Sequence, residues 1–83
     1  MKYEIWVTKR FERDFRRLTK EMKVRIDSAI EGLQENPYLG KFLHGDLKGK
    51  RSLRIGEYRV IYAVDEESKT IALIAAGHRK GAY

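Results

Sequence analysis

Cysteine is absent from this chain of 83 residues, which excludes disulfides, thiolate zinc sites and cysteine nucleophiles together. Histidine occurs only at His44 and His78, too few and too far apart to suggest a structural metal site. No cofactor is expected either. Long apolar runs are also missing. The longest uncharged apolar stretch, Ile71 to Gly77, falls far short of the ~20 residues that cross a bilayer as a helix, so no membrane association is expected. The opening MKYEIWVTKR lacks the apolar core and small-residue cleavage site of a secretory signal, and a cytoplasmic protein is expected.

What the sequence has in abundance is charge. Eighteen Lys and Arg stand against twelve Asp and Glu, a formal net charge of +6. A surplus of this size on a small body points to a polyanionic partner, nucleic acid first. The alternative is a solvated, salt-bridge-laced surface of a heat-adapted protein, consistent with a single Asn and a single Gln. A chain of this length makes one domain over residues 1–83, and folding buries roughly 64% of the surface its unfolded form exposes.

Tyr3, Ile5 and Val7 alternate with Glu4 and Trp6, which predicts a short strand. Thr8 can then cap a helix. Phe11, Phe15, Leu18 and Met22 form one amphipathic stripe. A second, Met22, Ile26, Ala29, Ile30 and Leu33, runs to Asn36-Pro37, where proline pushes its predecessor out of the α region. One helix over residues 9–35 would be ~40 Å long, against roughly 30 Å for a compact chain of this size. A break is therefore expected near Leu18-Thr19-Lys20, with Thr19 as the second N-cap, giving an antiparallel helical hairpin. Tyr38 to Lys50 reads as an irregular loop pinned by Phe42, Leu43 and Leu47.

Arg51 to Ile55, Glu57 to Asp65 and Thr70 to Gly77 are strand-like runs joined tightly at Gly56 and at residues 66–69, a meander. In the second run Tyr58, Val60, Tyr62 and Val64 are assigned to the helix-facing core. Arg59, Ile61, Ala63 and Asp65 are assigned to the outward face. The predicted fold is α+β, βααβββ, with the hairpin packed on one face of a small, mainly antiparallel sheet.

Four stretches then stand out as a set: Leu43-His44-Gly45, Arg51-Ser52-Leu53-Arg54, Gly56 to Tyr62 (GEYRVIY) and Gly77 to Tyr83 (GHRKGAY). With these the chain resembles the RelE/ParE superfamily of toxins from toxin-antitoxin operons, and within it the RelE branch of messenger-RNA interferases. The resemblance implies a compact βααβββ fold, a RelB-like antitoxin that wraps the toxin into a higher oligomer, and cleavage of messenger RNA in the ribosomal A site.

RNA cleavage without a metal uses the 2′-hydroxyl as nucleophile. It needs a base, cations for the phosphorane charge and an acid for the leaving oxygen. Lys50, Arg54, Arg59, Arg79 and Tyr83 are the catalytic candidates; Tyr83, at the end of the chain, is placed there by the family match alone. A cluster of like charges would lower the pKa of Lys50 and favour it as the base. Arg59 also has a plainer reading as a solvated charge on a strand. His78 is a candidate proton carrier or a residue on the core side of the tail, and His44 is expected to be structural. Lys48, Arg51 and Lys80 are candidate RNA-phosphate contacts, as are Arg10, Arg13 and Arg17, which share one helical face at spacings of three and four. For that face the alternative is a solubilising exterior.

The chain departs from the family pattern at Ser52, where well-known ribosome-dependent members carry a second lysine, so a two-lysine acid-base scheme does not transfer. Three functions are then open. The first is a ribosome-dependent, metal-free endoribonuclease that inhibits translation. The second is a non-catalytic ParE-like poison of DNA gyrase, and the third an RNA-binding module that has lost the chemistry. The outward face, mixing Ile61 and Ala63 with cations, is expected to give an acidic antitoxin both apolar and electrostatic purchase.

Overall fold

The computed structural model describes residues 2–45, 49–78 and 80. Strand β1 (Glu4–Val7) leads into helix α1 (Lys9–Arg16), and helix α2 (Lys20–Glu35) comes next. Threonine starts both helices. Thr8 Oγ1 accepts the Phe11 N–H at 3.1 Å and Thr19 Oγ1 accepts the Met22 N–H at 3.2 Å, each satisfying a donor that has no partner within the helix. The break between the helices comes where Thr19 turns to extended backbone (φ −67°, ψ 160°), and α2 stops at Asn36 (φ −143°, ψ 92°), the geometry Pro37 imposes on its predecessor.

The remaining strands are β2 (Lys41–Phe42), β3 (Arg51–Ile55), β4 (Tyr58–Asp65) and β5 (Thr70–His78). They form one sheet in the order β1-β5-β4-β3-β2, antiparallel except for the β1–β5 pair. The expected α+β architecture is found, with one addition. β2 lies inside the segment expected to be an irregular loop, and two residues are too few for a period-2 pattern to reveal. Its register is set by β3: Lys41 lies opposite Ser52 and Phe42 opposite Arg51.

The helices cover one face of the sheet. Phe11, Met22, Ile26 and Leu33 pack there against Val60, Tyr62, Ile71 and Leu73, with Tyr58 and Val64 half-buried at the margin. Tyr62 is fully buried. Its hydroxyl donates to the Pro37 carbonyl at 2.7 Å and accepts the Gly40 N–H at 2.9 Å, so the core tyrosine anchors the chain leaving α2.

A bulge divides β5. Tyr62 pairs with Leu73 but Ile61 pairs with Ala75, which leaves Ile74 as the extra residue and reverses the alternation beyond it. α1 secures the bulge. β1 pairs with β5 only as far as Leu73; past that point Thr8 Oγ1 lies 2.9 and 3.1 Å from the Leu73 and Ile74 carbonyls, and Asp14 Oδ2 accepts the Ala76 N–H at 3.1 Å. Backbone groups on a partly buried sheet edge are thereby satisfied by side chains.

The helix-free face holds one correction. Ile61 belongs to it by register, yet its accessibility is 0%. It lies on β4, the central strand, between Ser52 and Ala75, where alternation alone does not report burial. It offers no apolar surface to a partner. Among the described residues, no helix is long and apolar enough to cross a membrane.

Candidate functional site

The helix-free face is where the predicted cations converge. Arg54 and Arg59 are direct partners across the β3–β4 ladder, and Gly77 continues their row onto β5. Directly opposed residues point to the same face about 5 Å apart, and like charges there repel. Among the described residues neither arginine forms an ion pair; Arg54 Nε donates to the Gly56 carbonyl at 3.0 Å. The next row runs from Lys41 through Ser52 and Ile61 to Ala75. Lys50 extends the alternation one step before β3, its carbonyl held by the Leu43 N–H at 3.0 Å. Ser52, Ala75 and Gly77 are small, the buried Ile61 lies between Ser52 and Ala75, and cations edge this floor. Such a concentration of positive charge destabilises the sheet locally and suits an anion.

Other predicted residues lie elsewhere. His78 pairs with Tyr58, its ring 5.5 Å from the tyrosine ring in an edge contact, and Tyr58 packs on the helix-side core. The bulge decides this. Without the extra residue Ile74, the alternation of β5 would place His78 beside the arginines; with it, His78 stands on the opposite face. Its Nδ1 accepts the Lys80 N–H at 3.3 Å. Arg51 also faces the helix side. One of its terminal guanidinium nitrogens donates to the Gly40 carbonyl at 2.9 Å, and the group lies over Tyr38 and Phe42 at 4.8 and 5.4 Å, so it braces β2 and the loop rather than joining the cationic face. Arg10, Arg13 and Arg17 are exposed, with Arg10 Nε 3.8 Å from Asp14. Lys48, Arg79 and Tyr83 lie outside the described residues.

Titration is displaced at Tyr62 and at the β4–β5 turn. Burial pushes the Tyr62 phenol up. At the β4–β5 turn, Lys69 Nζ lies 2.8 Å from Glu66 Oε1, which also accepts the Tyr3 hydroxyl at 2.7 Å. The lysine holds the Glu66 carboxyl below its ordinary value, and the carboxylate raises both Lys69 and Tyr3. These contacts tie β1 to the turn.

The family described as ParE toxin of type II toxin-antitoxin system, parDE, matches residues 5–83. The chain belongs to the RelE/ParE family of toxins. Toxin RelE of Mycobacterium tuberculosis is 35% identical over 83 residues, covering 98% of this chain and 86% of the relative. Toxin RelG of the same organism is 31% identical over 85 residues, covering 100% and 98%. Among solved structures, the toxin-antitoxin complex RelBE2 from M. tuberculosis contains a chain superposing with a TM-score of 0.88 at 30% identity, covering 95% of this toxin and all of that chain.

One member of the cationic face escaped the sequence. Lys41 sits in a segment with no readable period, and its place beside Ser52 comes only from the β2–β3 register. The single available signal was the alternation of Lys41, Phe42 and Leu43, too short to distinguish a strand from a loop.

Proposed function

We propose that this toxin is a ribosome-dependent, metal-free endoribonuclease that cleaves messenger RNA in the A site and so inhibits translation. The observation that supports this reading is the Arg54–Arg59 pair on the helix-free face, without an ion-pair partner among the described residues; Lys50 continues the same alternation four residues before Arg54. Opposed arginines are poor for stability but are what a phosphorane dianion requires. In this scheme the substrate's own 2′-hydroxyl attacks the adjacent phosphorus and the 5′-oxygen leaves, giving a 2′,3′-cyclic phosphate. Lys50 takes the hydroxyl proton, Arg54, Arg59 and Arg79 hold the phosphoryl oxygens, and Tyr83 serves the leaving group or stacks on a base. The exposed Arg10, Arg13 and Arg17 bind ribosomal RNA phosphates.

The partner in this reading is a RelB-like antitoxin, in a higher oligomer. The relative from M. tuberculosis was solved as a toxin-antitoxin complex. Since Ile61 is buried, the apolar segment of the antitoxin is assigned instead to the groove between β1 and the helices, lined by Ile5, Val7, Phe11, Phe15, Ile30 and Leu73.

The test is to incubate the purified toxin with programmed ribosomes and map new messenger ends. Cleavage confined to A-site codons, leaving 2′,3′-cyclic phosphates, is expected. The matching family's ParE description favours one rival, poisoning of DNA gyrase. Intact messenger together with inhibited gyrase supercoiling would replace the first reading with the second.

A further inference from the structure

The cationic face has a gap at its centre and a lysine next to the gap. Ser52 points onto the face between the row of Arg54 and the position of Lys50, yet its short side chain brings no charge. The residue opposite it across the β2–β3 ladder is Lys41. Direct partners on antiparallel strands share a face, with side chains ~5 Å apart, so the Lys41 stem rises beside Ser52, whose side chain is short. Lys41 is exposed, and among the described residues no carboxylate pairs with it. Phe42, one residue on, faces the other side and is stacked on by Arg51, which locks the orientation of the two-residue strand and with it that of Lys41.

We infer that Lys41 contacts a phosphate of the bound RNA, supplying from β2 the positive charge that position 52 does not. This rests on the endoribonuclease reading. Lys41 and Arg59 are separated by two strand spacings and two residues along the strand, which places their backbones ~12 Å apart. Two long, flexible cationic side chains leaning over Ser52 span that distance around one phosphodiester. The role is that of a cation, not a proton carrier. Ammonium and guanidinium both serve it, whereas the fixed position of β2 relative to β3 is essential. The plainer alternative is an edge lysine whose charge discourages strand-to-strand aggregation; that role is indifferent to what stands at position 52.

The experiment measures single-turnover cleavage on programmed ribosomes for the wild type and for Arg59→Ala, Lys41→Ala, Lys41→Arg and Lys41→Ala/Ser52→Lys, with thermal denaturation of each as a folding control. Expected are a loss of ten-fold or more in Lys41→Ala at unchanged thermal midpoint and retention of most activity in Lys41→Arg. The charge moved one strand over in Lys41→Ala/Ser52→Lys should restore the rate to within a few-fold of the wild type. Wild-type cleavage that depends on Arg59 but is indifferent to Lys41→Ala overturns this inference and leaves the endoribonuclease reading standing. Lys41→Arg as inactive as Lys41→Ala overturns the phosphate role, and failure of Ser52→Lys to rescue overturns the placement over position 52. A wild type that cleaves nothing removes both the inference and the reading beneath it.

Discussion

Gly40 donates its backbone N–H to the Tyr62 hydroxyl at 2.9 Å, and the two are packed so closely that a β-carbon at position 40 would stand 2.6 Å from that oxygen. The contact joins the end of the helical half to the centre of the sheet. It also orients β2, because Arg51 holds the Gly40 carbonyl while its own strand pairs with Lys41 and Phe42.

Gly40→Ala should therefore destabilise the toxin by roughly 1–3 kcal/mol, as a small-to-large change in a packed interior does. Tyr62→Phe, which leaves the Gly40 N–H and the Pro37 carbonyl without their buried partner, should cost about as much. Adding Gly40→Ala to Tyr62→Phe should cost somewhat less than the sum, because the closest of the crowding atoms is gone while the ring carbon at 2.8 Å and the Ser52 carbonyl at 3.0 Å remain. Urea denaturation of the two single variants and the double variant checks this; a cost greater than the sum would contradict the geometry.

The same phenol predicts an alkaline limit to stability. Burial raises the Tyr62 pKa above its ordinary 10.0, so the folded state holds the proton more tightly than the unfolded state does. The stabilisation linked to it is fully present below pH ~10 and is lost as pH rises through the folded value. Denaturation midpoints measured from pH 8 to 11 should fall at the top of the range in the wild type. The fall should be shallower in Tyr62→Phe.

Arg54 and Arg59 oppose each other, and among the described residues neither forms an ion pair, so function and stability should separate there. Arg59→Gln should leave the unfolding free energy unchanged or raise it by up to ~1 kcal/mol in low salt, read by denaturation, since it removes a cross-strand repulsion. Cleavage should fall by ~10²–10³, the usual size of one lost electrostatic contact to a transition state. Charge reversal at Arg13 and Arg17 should instead weaken ribosome binding and flatten its salt dependence. Equal effects of both changes on binding alone would deny the sheet face a catalytic role.

Asp14 accepts the Ala76 N–H from the bulged strand. Asp14→Ala should cost about 1–2 kcal/mol by leaving that amide unpaired, and should accelerate hydrogen exchange at Ala76 more than at the ladder amides of β4. Asp14→Asn keeps an acceptor and should lose less.

Much of the fold was legible locally. Thr8 and Thr19 as caps, the stop at Asn36-Pro37 and the helix-side set Tyr58, Val60, Tyr62 and Val64 all come from spacings within one element, and a spacing is a property of neighbouring residues. The motifs from Arg51 to Tyr62 pointed to the family in the same way, and the outward alternation put Arg54 and Arg59 on one face. Tertiary structure decided the rest through contacts between distant segments. The bulge at Ile74 cannot be read from the run Leu73-Ile74-Ala75-Ala76, where every residue is apolar, so which phase continues depends on Thr8 and Asp14 reaching across from the other end of the chain. That phase is what removes His78 from the arginine face. The membership of Lys41 likewise depends on β2 pairing with β3, since a strand of two residues has no period of its own and takes its register from its partner.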